Sequence, residues 1–332
     1  MTTVRHRWIA HAGSLRATLA GLGLLAAVVL ARPQWQPLAL VIGALALNLL
    51  AALLRHPALA RQLPLLVAHL ALLVLVLGVA LGRLCALDGH FELTEGEPFD
   101  GRLIDAQAGP LYRPALQRLA FRHEGFAIDY AAGRKRGATR NPVRWTDEAG
   151  QPQAAVIGDH HPLLLAGHRI YTSPNKGFAP VLRWQPAQGE ALVGAVHLPS
   201  FPLHELRQSQ AWALPDGRSV WVMLHTDERL IDPQQAGSFE RPKTHRLVLR
   251  IGEQRAELAP GEALTIAGGV LVYEGLRSWM GYRVAYDPTL PWLLAAALAA
   301  ALALGLHYAL KFRGSPQPAA ARRFGQIGAL DG

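Results

Sequence analysis

Two histidines lie inside long apolar stretches of the sequence, which is a costly place for an ionisable side chain. His69 lies in the stretch of residues 64–84, and His307 lies in the stretch of residues 290–310. A polar group in hydrocarbon is unfavourable unless it is paired or ligated, so such a residue predicts a functional site. Neutral imidazole is a common metal ligand. The chemistry predicted here is therefore metal coordination or a hydrogen bond between helices.

Four apolar segments predict that these histidines belong to membrane-spanning helices. A bilayer helix needs about 20 apolar residues. The first segment is only fifteen residues long and follows Arg5, Arg7 and Arg16, which is also the pattern of a signal peptide. Because the second segment begins six residues later, a helical hairpin is the stronger interpretation. The predicted spans are residues 17–31, 38–54, 64–84 and 290–310.

Charge is distributed unevenly along the 332 residues. Residues 85–289 carry 22 basic and 23 acidic side chains, whereas the rest of the chain carries 11 basic and one acidic. Segments rich in Lys and Arg stay in the cytoplasm. The sequence therefore predicts a bacterial inner-membrane protein with cytoplasmic termini, a cytoplasmic tail at 311–332 and a periplasmic segment at 85–289. Since the basic excess flanks the membrane segments, nucleic acid is excluded as the partner.

The periplasmic segment has the pattern of an antiparallel β-rich domain, so the predicted fold class is an α+β membrane protein with this domain between the third and fourth of four helices. A basic run at 133–140 predicts a solvated hairpin loop. Trp279, Tyr282, Tyr286 and Trp292 predict an aromatic belt at the membrane interface. Alternating stretches bounded by turn residues cover 125–130, 154–157, 163–171, 181–184, 220–224, 246–251, 263–273 and 282–286.

Several kinds of chemistry are not supported. Cys85 is the only cysteine, so the chain lacks the dithiol that thiol–disulfide exchange requires. His160 and His161 follow Asp159, but adjacent residues on a strand point to opposite faces, which favours a turn over a metal site. The sequence contains no hydrolase motif and no phosphate-binding glycine loop. No catalytic residue is predicted.

Three stretches carry a recognisable family pattern. Residues 47–100 hold Asn48, then the early histidine of the third segment and the exit strand ELTEGE. Residues 167–184 read GHRIYTSPNKGFAPVLRW, and Asp287-Pro288 directly precedes the last apolar segment. Together they resemble the ResB/CcsB-like cytochrome c biogenesis proteins of system II. The short loop at Pro33-Gln34, where the family has a longer motif, indicates a compact and divergent member.

The resemblance implies a membrane subunit of a cytochrome c maturation complex that delivers haem to apocytochromes c with a CcsA/ResC-like membrane partner. A thioredoxin-like thiol reductant is a further partner, and the chain is at most one subunit of a haem-handling synthase. The resemblance also implies that His69 is an axial ligand of a transient haem b shared with that partner; no other metal is expected.

The residues alone leave two alternatives open. His69 and the weaker candidate His307 could equally form an intrachain ligand pair, because both lie near the cytoplasmic side of the predicted spans. That arrangement would favour a b-haem electron-transfer subunit. A non-catalytic membrane adaptor is the third possibility, and for it His69 would be replaceable.

Overall fold

The computed structural model describes residues 14–31, 35–55 and 61–313. The predicted basic tails at Arg5, Arg7, Arg322 and Arg323, and the Pro33-Gln34 loop, lie outside these residues. The chain divides into two compact units, which we call the helical unit and the β unit. The helical unit comprises Met1–Cys85, Gly109–Leu111 and Asp287–Gly332, and the β unit comprises Ala86–Ala108 and Tyr112–Tyr286.

The described part of the helical unit contains four α-helices. They are α1 (Leu15–Leu30), α2 (Trp35–Arg55), α3 (Leu63–Cys85) and α4 (Leu290–Arg313). Three segments are long and apolar enough to cross a membrane, namely Pro37–Arg55, Leu63–Cys85 and Leu290–Arg313. The shorter α1 has 16 residues, so its role as a fourth span stays a prediction. The apolar helices make this a membrane-associated protein.

Helices α3 and α4 run antiparallel and approach closely at two glycines. A Cβ atom at Gly78 would lie 2.7 Å from Leu293 Cδ2, and one at Gly82 would lie 2.8 Å from Thr289 Oγ1. Small residues allow such close approach of membrane helices. Asp287 Oδ1 accepts hydrogen bonds from the Thr289 backbone N–H at 2.9 Å and the Thr289 hydroxyl at 2.6 Å. This Asx turn explains the Asp-Pro pair before α4.

The described part of the β unit contains sixteen strands in three antiparallel sheets. The seven-stranded sheet holds β1 (Leu87–Thr94), β2 (Asp105–Ala108), β7 (Leu163–Leu165), β8 (His168–Pro186), β9 (Leu192–Ala195), β15 (Ala263–Ile266) and β16 (Gly269–Tyr286). The four-stranded sheet holds β10 (Ser209–Ala213), β11 (Ser219–His225), β13 (Arg246–Ile251) and β14 (Gln254–Leu258). The five-stranded sheet holds β3 (Phe121–His123), β4 (Ala127–Ala131), β5 (Lys135–Thr146), β6 (Pro152–Ile157) and β12 (Gly237–Ser238).

Two buried clusters form the core, and the long strands β8 and β16 contribute to both. The first cluster joins the seven-stranded and four-stranded sheets, for example through Leu182, Tyr273 and Val222. The second joins the seven-stranded and five-stranded sheets, for example through Met280 and Val143. The predicted α+β class with a large antiparallel β-rich domain is confirmed at this level.

Two predicted strands are in fact hairpins. The stretch 163–171 turns at Ala166 and Gly167, whose φ values are 46° and 78°, and separates β7 from β8. The stretch 263–273 turns at Gly268, whose φ is 85°, and separates β15 from β16. In each hairpin the glycine supplies the left-handed backbone that a tight turn between antiparallel strands requires.

One further expectation was right in part, and another was wrong. The basic run 133–140 begins in the turn of the β4–β5 hairpin, at Gly133 and Arg134, but continues as strand β5 from Lys135. Its arginines pair within the β unit: Arg134 with Glu205, Arg136 with Asp159 at 2.5 Å, and Arg140 with Asp129 at 2.7 Å. The predicted interfacial residues Trp279 and Tyr282 are 4% and 0% exposed inside the β unit. Both belong to a continuous run of buried residues at 278–282 in β16, whereas Trp292 on α4 is exposed.

Candidate functional site

His69 lies six residues after the start of α3 and is half-buried. Its Nδ1 atom lies 2.7 Å from the backbone carbonyl oxygen of Leu65, one turn earlier. Since a carbonyl only accepts, Nδ1 must carry the proton, and Nε2 then holds a lone pair. Nε2 has no hydrogen-bond partner among the described residues. The hydrogen bond on Nδ1 fixes the orientation of the ring and leaves the Nε2 lone pair available, which is the arrangement that ligating histidines usually have.

His307 lies on α4 and is also half-buried. Its ring contacts Tyr308, with the ring centroids 5.4 Å apart. Because Gly78 faces Leu293 and the helices are antiparallel, His307 lies at the level of Pro64 on α3. That level is five residues from His69, which is about 7.5 Å along the helix axis.

The two histidines also differ in the direction they face. His69 precedes Gly78 by nine residues, which is two and a half helical turns at 3.6 residues per turn. Since Gly78 faces α4, His69 projects from the opposite side of α3. The structure therefore does not bring His69 and His307 together, and a shared intrachain metal site would require α3 to rotate by about half a turn.

A second polar contact in the helical unit joins α1 to α2. The Thr18 hydroxyl donates a 2.7 Å hydrogen bond to Asn48 Oδ1, and Asn48 Nδ2 lies 3.5 Å from the Ser14 carbonyl oxygen. Asn48 is seven residues from the end of α2, at Arg55, and His69 is six residues from the start of α3. Both polar side chains therefore lie near the same end of their helices, in the half that adjoins the 55–61 segment.

The β unit contains a buried polar network that the sequence did not predict. His123, Asn141 and Tyr282 are each 0% exposed. Asn141 Nδ2 lies 2.8 Å from His123 Nδ1, and the Tyr282 hydroxyl donates to Asn141 Oδ1 at 2.8 Å. Asn141 Nδ2 also donates to the Gly125 carbonyl oxygen at 2.6 Å. Burial lowers the pKa of His123 to about 4 and raises that of Tyr282, so both are neutral at pH 7.

A partly exposed histidine lies between a carboxylate and a hydroxyl. His197 Nδ1 lies 2.8 Å from Glu92 Oε2, and His197 Nε2 lies 3.0 Å from Thr94 Oγ1. The His197 ring stacks on Trp279, with centroids 5.0 Å apart and planes 7° apart. Thr94 is 1% exposed, so its hydroxyl cannot reach a substrate in solution. The contacts of His197 attach the β9–β10 connection to β1, and Thr94 does not serve as a nucleophile.

The remaining candidate residues are not brought together. His160 and His161 lie in the bend between β6 and β7, where the His161 backbone N–H is 3.4 Å from the Gly158 carbonyl oxygen. Cys85 ends α3 as a free, half-buried thiol. In the described part of the chain no group of three or more His, Cys, Asp or Glu side chains could hold a metal ion. A metal bound through His69 would need its further ligands from a porphyrin or another protein.

The sequence held only a weak signal for the buried network. His123 and Asn141 occupy inward positions of alternating strands, two residues from Phe121 and Val143 respectively. Inward polar residues on a strand must find partners in the core. That rule identifies them as buried hydrogen-bonding groups, but it does not say which residues pair, since β3, β5 and β16 are distant in the sequence.

These features define a class of membrane-associated α+β protein in which apolar helices precede and follow a large antiparallel β domain. The α3 span carries His69, whose Nε2 atom has no hydrogen-bond partner among the described residues. The model of the ResB-like family matches residues 58–313, about three quarters of the sequence, and the chain belongs to that family. No curated protein matches the chain significantly. The predicted family is thus confirmed.

Proposed function

We propose that this protein is the membrane subunit of a cytochrome c maturation complex that delivers haem to apocytochrome c. The ResB-like family is associated with cytochrome c biogenesis, which supports the general role. The observation that carries the specific role is the His69 ring, whose Nδ1–H bonds to Leu65 and whose Nε2 is left to bind iron. Haem iron commonly takes such a neutral imidazole as an axial ligand.

The residues of the helical unit fit one axial ligand of a transiently held haem b. The neighbours of His69 along α3 are apolar, which suits a porphyrin ring, and the imidazole is oriented by its bond to the Leu65 carbonyl oxygen. Since His69 projects from the side of α3 opposite to α4, the second ligand would come from a CcsA/ResC-like membrane partner. Haem is the cargo: its iron must be delivered reduced, and its vinyl groups then bond to apocytochrome cysteines. A thioredoxin-like reductant would keep those cysteines reduced.

We place the β unit outside the cytoplasm, on four spans in the bacterial inner membrane. The support is the charge distribution, because 11 of the 33 basic residues but only one of the 24 acidic residues lie outside 85–289. Segments with such an excess are retained in the cytoplasm. In this topology His69 and Asn48 lie toward the cytoplasmic side, which is the side where haem would enter.

The deciding experiment compares His69→Ala with His307→Ala in cells that also express the partner. His69→Ala removes an axial ligand but leaves an apolar helix, so protein level should hold while haem content and cytochrome c yield fall. Imidazole added to the medium should partly restore both, because it can occupy the vacated coordination position. His307→Ala is the matched control and should change neither quantity substantially.

Other outcomes would select an alternative. Equal loss of haem in the two variants would indicate an intrachain ligand pair and a b-haem electron-transfer subunit. An unchanged spectrum and an unchanged cytochrome c yield in His69→Ala would contradict haem ligation and favour a membrane adaptor. An absorption spectrum of the protein purified with and without its partner distinguishes a shared site from a site on this chain alone.

A further inference from the structure

Strand β6 is an open edge of the five-stranded sheet. It covers Pro152–Ile157 and pairs on one side only, with β5. Its sequence PQAAVI contains no charged side chain, and among the described strands it is the longest sheet edge of that kind. Natural proteins usually protect edges with charges, since an open edge is a template for another strand. Charges do protect β14, which carries Arg255 and Glu257.

The register shows which backbone groups of β6 are unpaired. In two antiparallel strands, every second pair of facing residues is joined by two backbone hydrogen bonds. The N–H and C=O groups of the residues in between point away from the partner strand. The Pro142 carbonyl oxygen of β5 accepts from the Glu124 backbone N–H on the β3 side. Pro142 is opposite Val156, so that pair is not hydrogen-bonded across β5 and β6. The N–H and C=O groups of Val156 and Ala154 therefore point away from the sheet.

These outward groups are accessible. Val156 is 58% exposed, and Ala154 is exposed as well. Neither residue has another backbone hydrogen bond within the part of the chain that the structure describes. Strand β9, another uncharged edge, differs because the Trp212 ring would lie 3.3 Å from a Cβ atom on Gly194. It is therefore covered on one face.

We infer that β6 binds an extended polypeptide segment, which adds to the five-stranded sheet as a further strand. Ala154 and Val156 each present one N–H and one C=O outward, and the two residues lie about 6.8 Å apart along the strand. This spacing matches the two-residue repeat of an extended backbone. The uncharged, partly apolar side chains select an uncharged segment with small or apolar residues. Such segments are available in an unfolded chain and are paired or buried in a folded one.

The choice of probe rests on the proposed function, because a haem-free cytochrome c is an unfolded polypeptide substrate. The full-length protein in detergent micelles is mixed with reduced, haem-free cytochrome c, and amide hydrogen exchange is followed across residues 152–157. The Ala154 and Val156 amides should become protected, whereas the Ala155 amide is already bonded to β5. Folded cytochrome c with its haem is the control and should protect neither amide.

Two variants test the edge itself. Val156→Pro removes an outward N–H without removing a bond to β5, and Pro is tolerated at such edge positions. The affinity for the haem-free polypeptide should fall about fivefold, the equivalent of one net hydrogen bond. Val156→Lys retains the N–H but adds a charge, and it should weaken binding too. Val156→Thr keeps a β-branched residue and should bind like the wild type.

Equal affinity of Val156→Pro, Val156→Lys and Val156→Thr would overturn the inference, as would protection elsewhere but not at residues 152–157. The outcome is separable from that of the haem proposal. Edge binding that persists in His69→Ala, together with unchanged cytochrome c yield in that variant, would leave this inference standing while haem ligation fails. Haem loss in His69→Ala, together with no protection of the β6 amides by haem-free cytochrome c, would support haem ligation and contradict this inference.

Discussion

His123 should make the β unit lose stability between neutral and mildly acidic pH. Its ring is fully buried, Nδ1 lies within hydrogen-bond distance of Asn141 and Tyr282, and Nε2 has no partner. Protonation would place an uncompensated charge in the core. Burial therefore lowers the pKa of His123 from 6.5 to about 4.

The sign and size of the effect follow from this difference. Below pH 6.5 the unfolded chain binds a proton that the folded protein excludes, so protons favour unfolding. The pKa of His123 is about 4 in the folded protein and 6.5 in the unfolded chain. As the pH falls from 7 to 5, this difference should lower the free energy of unfolding by about 2 kcal/mol. Carboxylates with lowered pKa values, such as Glu95, contribute mainly below this window.

The measurement is urea unfolding of the full-length protein in mild detergent, followed by near-ultraviolet circular dichroism at pH 7 and pH 5. His123→Gln keeps an amide that can bond to Asn141 but cannot titrate, so it is the reference. The wild type should lose about 2 kcal/mol more than this variant, which is about 1 M urea in midpoint. If both proteins lose the same stability, His123 is not the desolvated neutral histidine that the structure shows, and the reasoning fails.

Two more predictions concern the helical unit and the topology. Gly82→Val should lower the amount of folded protein recovered from membranes, because a Cβ atom there would lie 2.8 Å from Thr289 Oγ1. The control is Gly305→Val, because a Cβ atom at Gly305 would have no neighbour within 4 Å. This variant should be recovered in normal amounts. Alkaline phosphatase fused after Gly150 should be active and phosphatase fused after Arg313 inactive, because the basic tails stay inside; the reverse activities would contradict the proposed orientation and the outward delivery of haem.

The sequence predicted elements well where one physical signal dominates. Apolar length located α2, α3 and α4, because few soluble structures require about 20 apolar residues in succession. Alternation located β13 at 246–251, the same bounds as in the structure. These signals are local, so they are readable without knowing which strands are neighbours.

Other features depend on contacts between distant segments and could not be predicted. Trp279 and Tyr282 are close to α4 in the sequence, which suggested a membrane interface, but contacts with segments distant in the sequence bury them inside the β unit. The tautomer of His69 was equally hidden, since only the helix geometry brings Nδ1 to the Leu65 carbonyl. The sequence identified His69 as a candidate, and the structure shows which of its nitrogens is available.

The position of β16 in the large sheet has a consequence for how the protein is made. This strand pairs with β1, β8 and β15, so a strand that joins three others in the sheet is the last one to leave the ribosome. Until residue 286 emerges, β1 and β8 have no partner between them, and both buried clusters are incomplete. Synthesis reaches α4 immediately afterwards, so the β unit gains its final strand just before the last apolar helix is due for membrane insertion. A stall or truncation within 269–286 would therefore leave a translated but unassembled domain exposed to proteases.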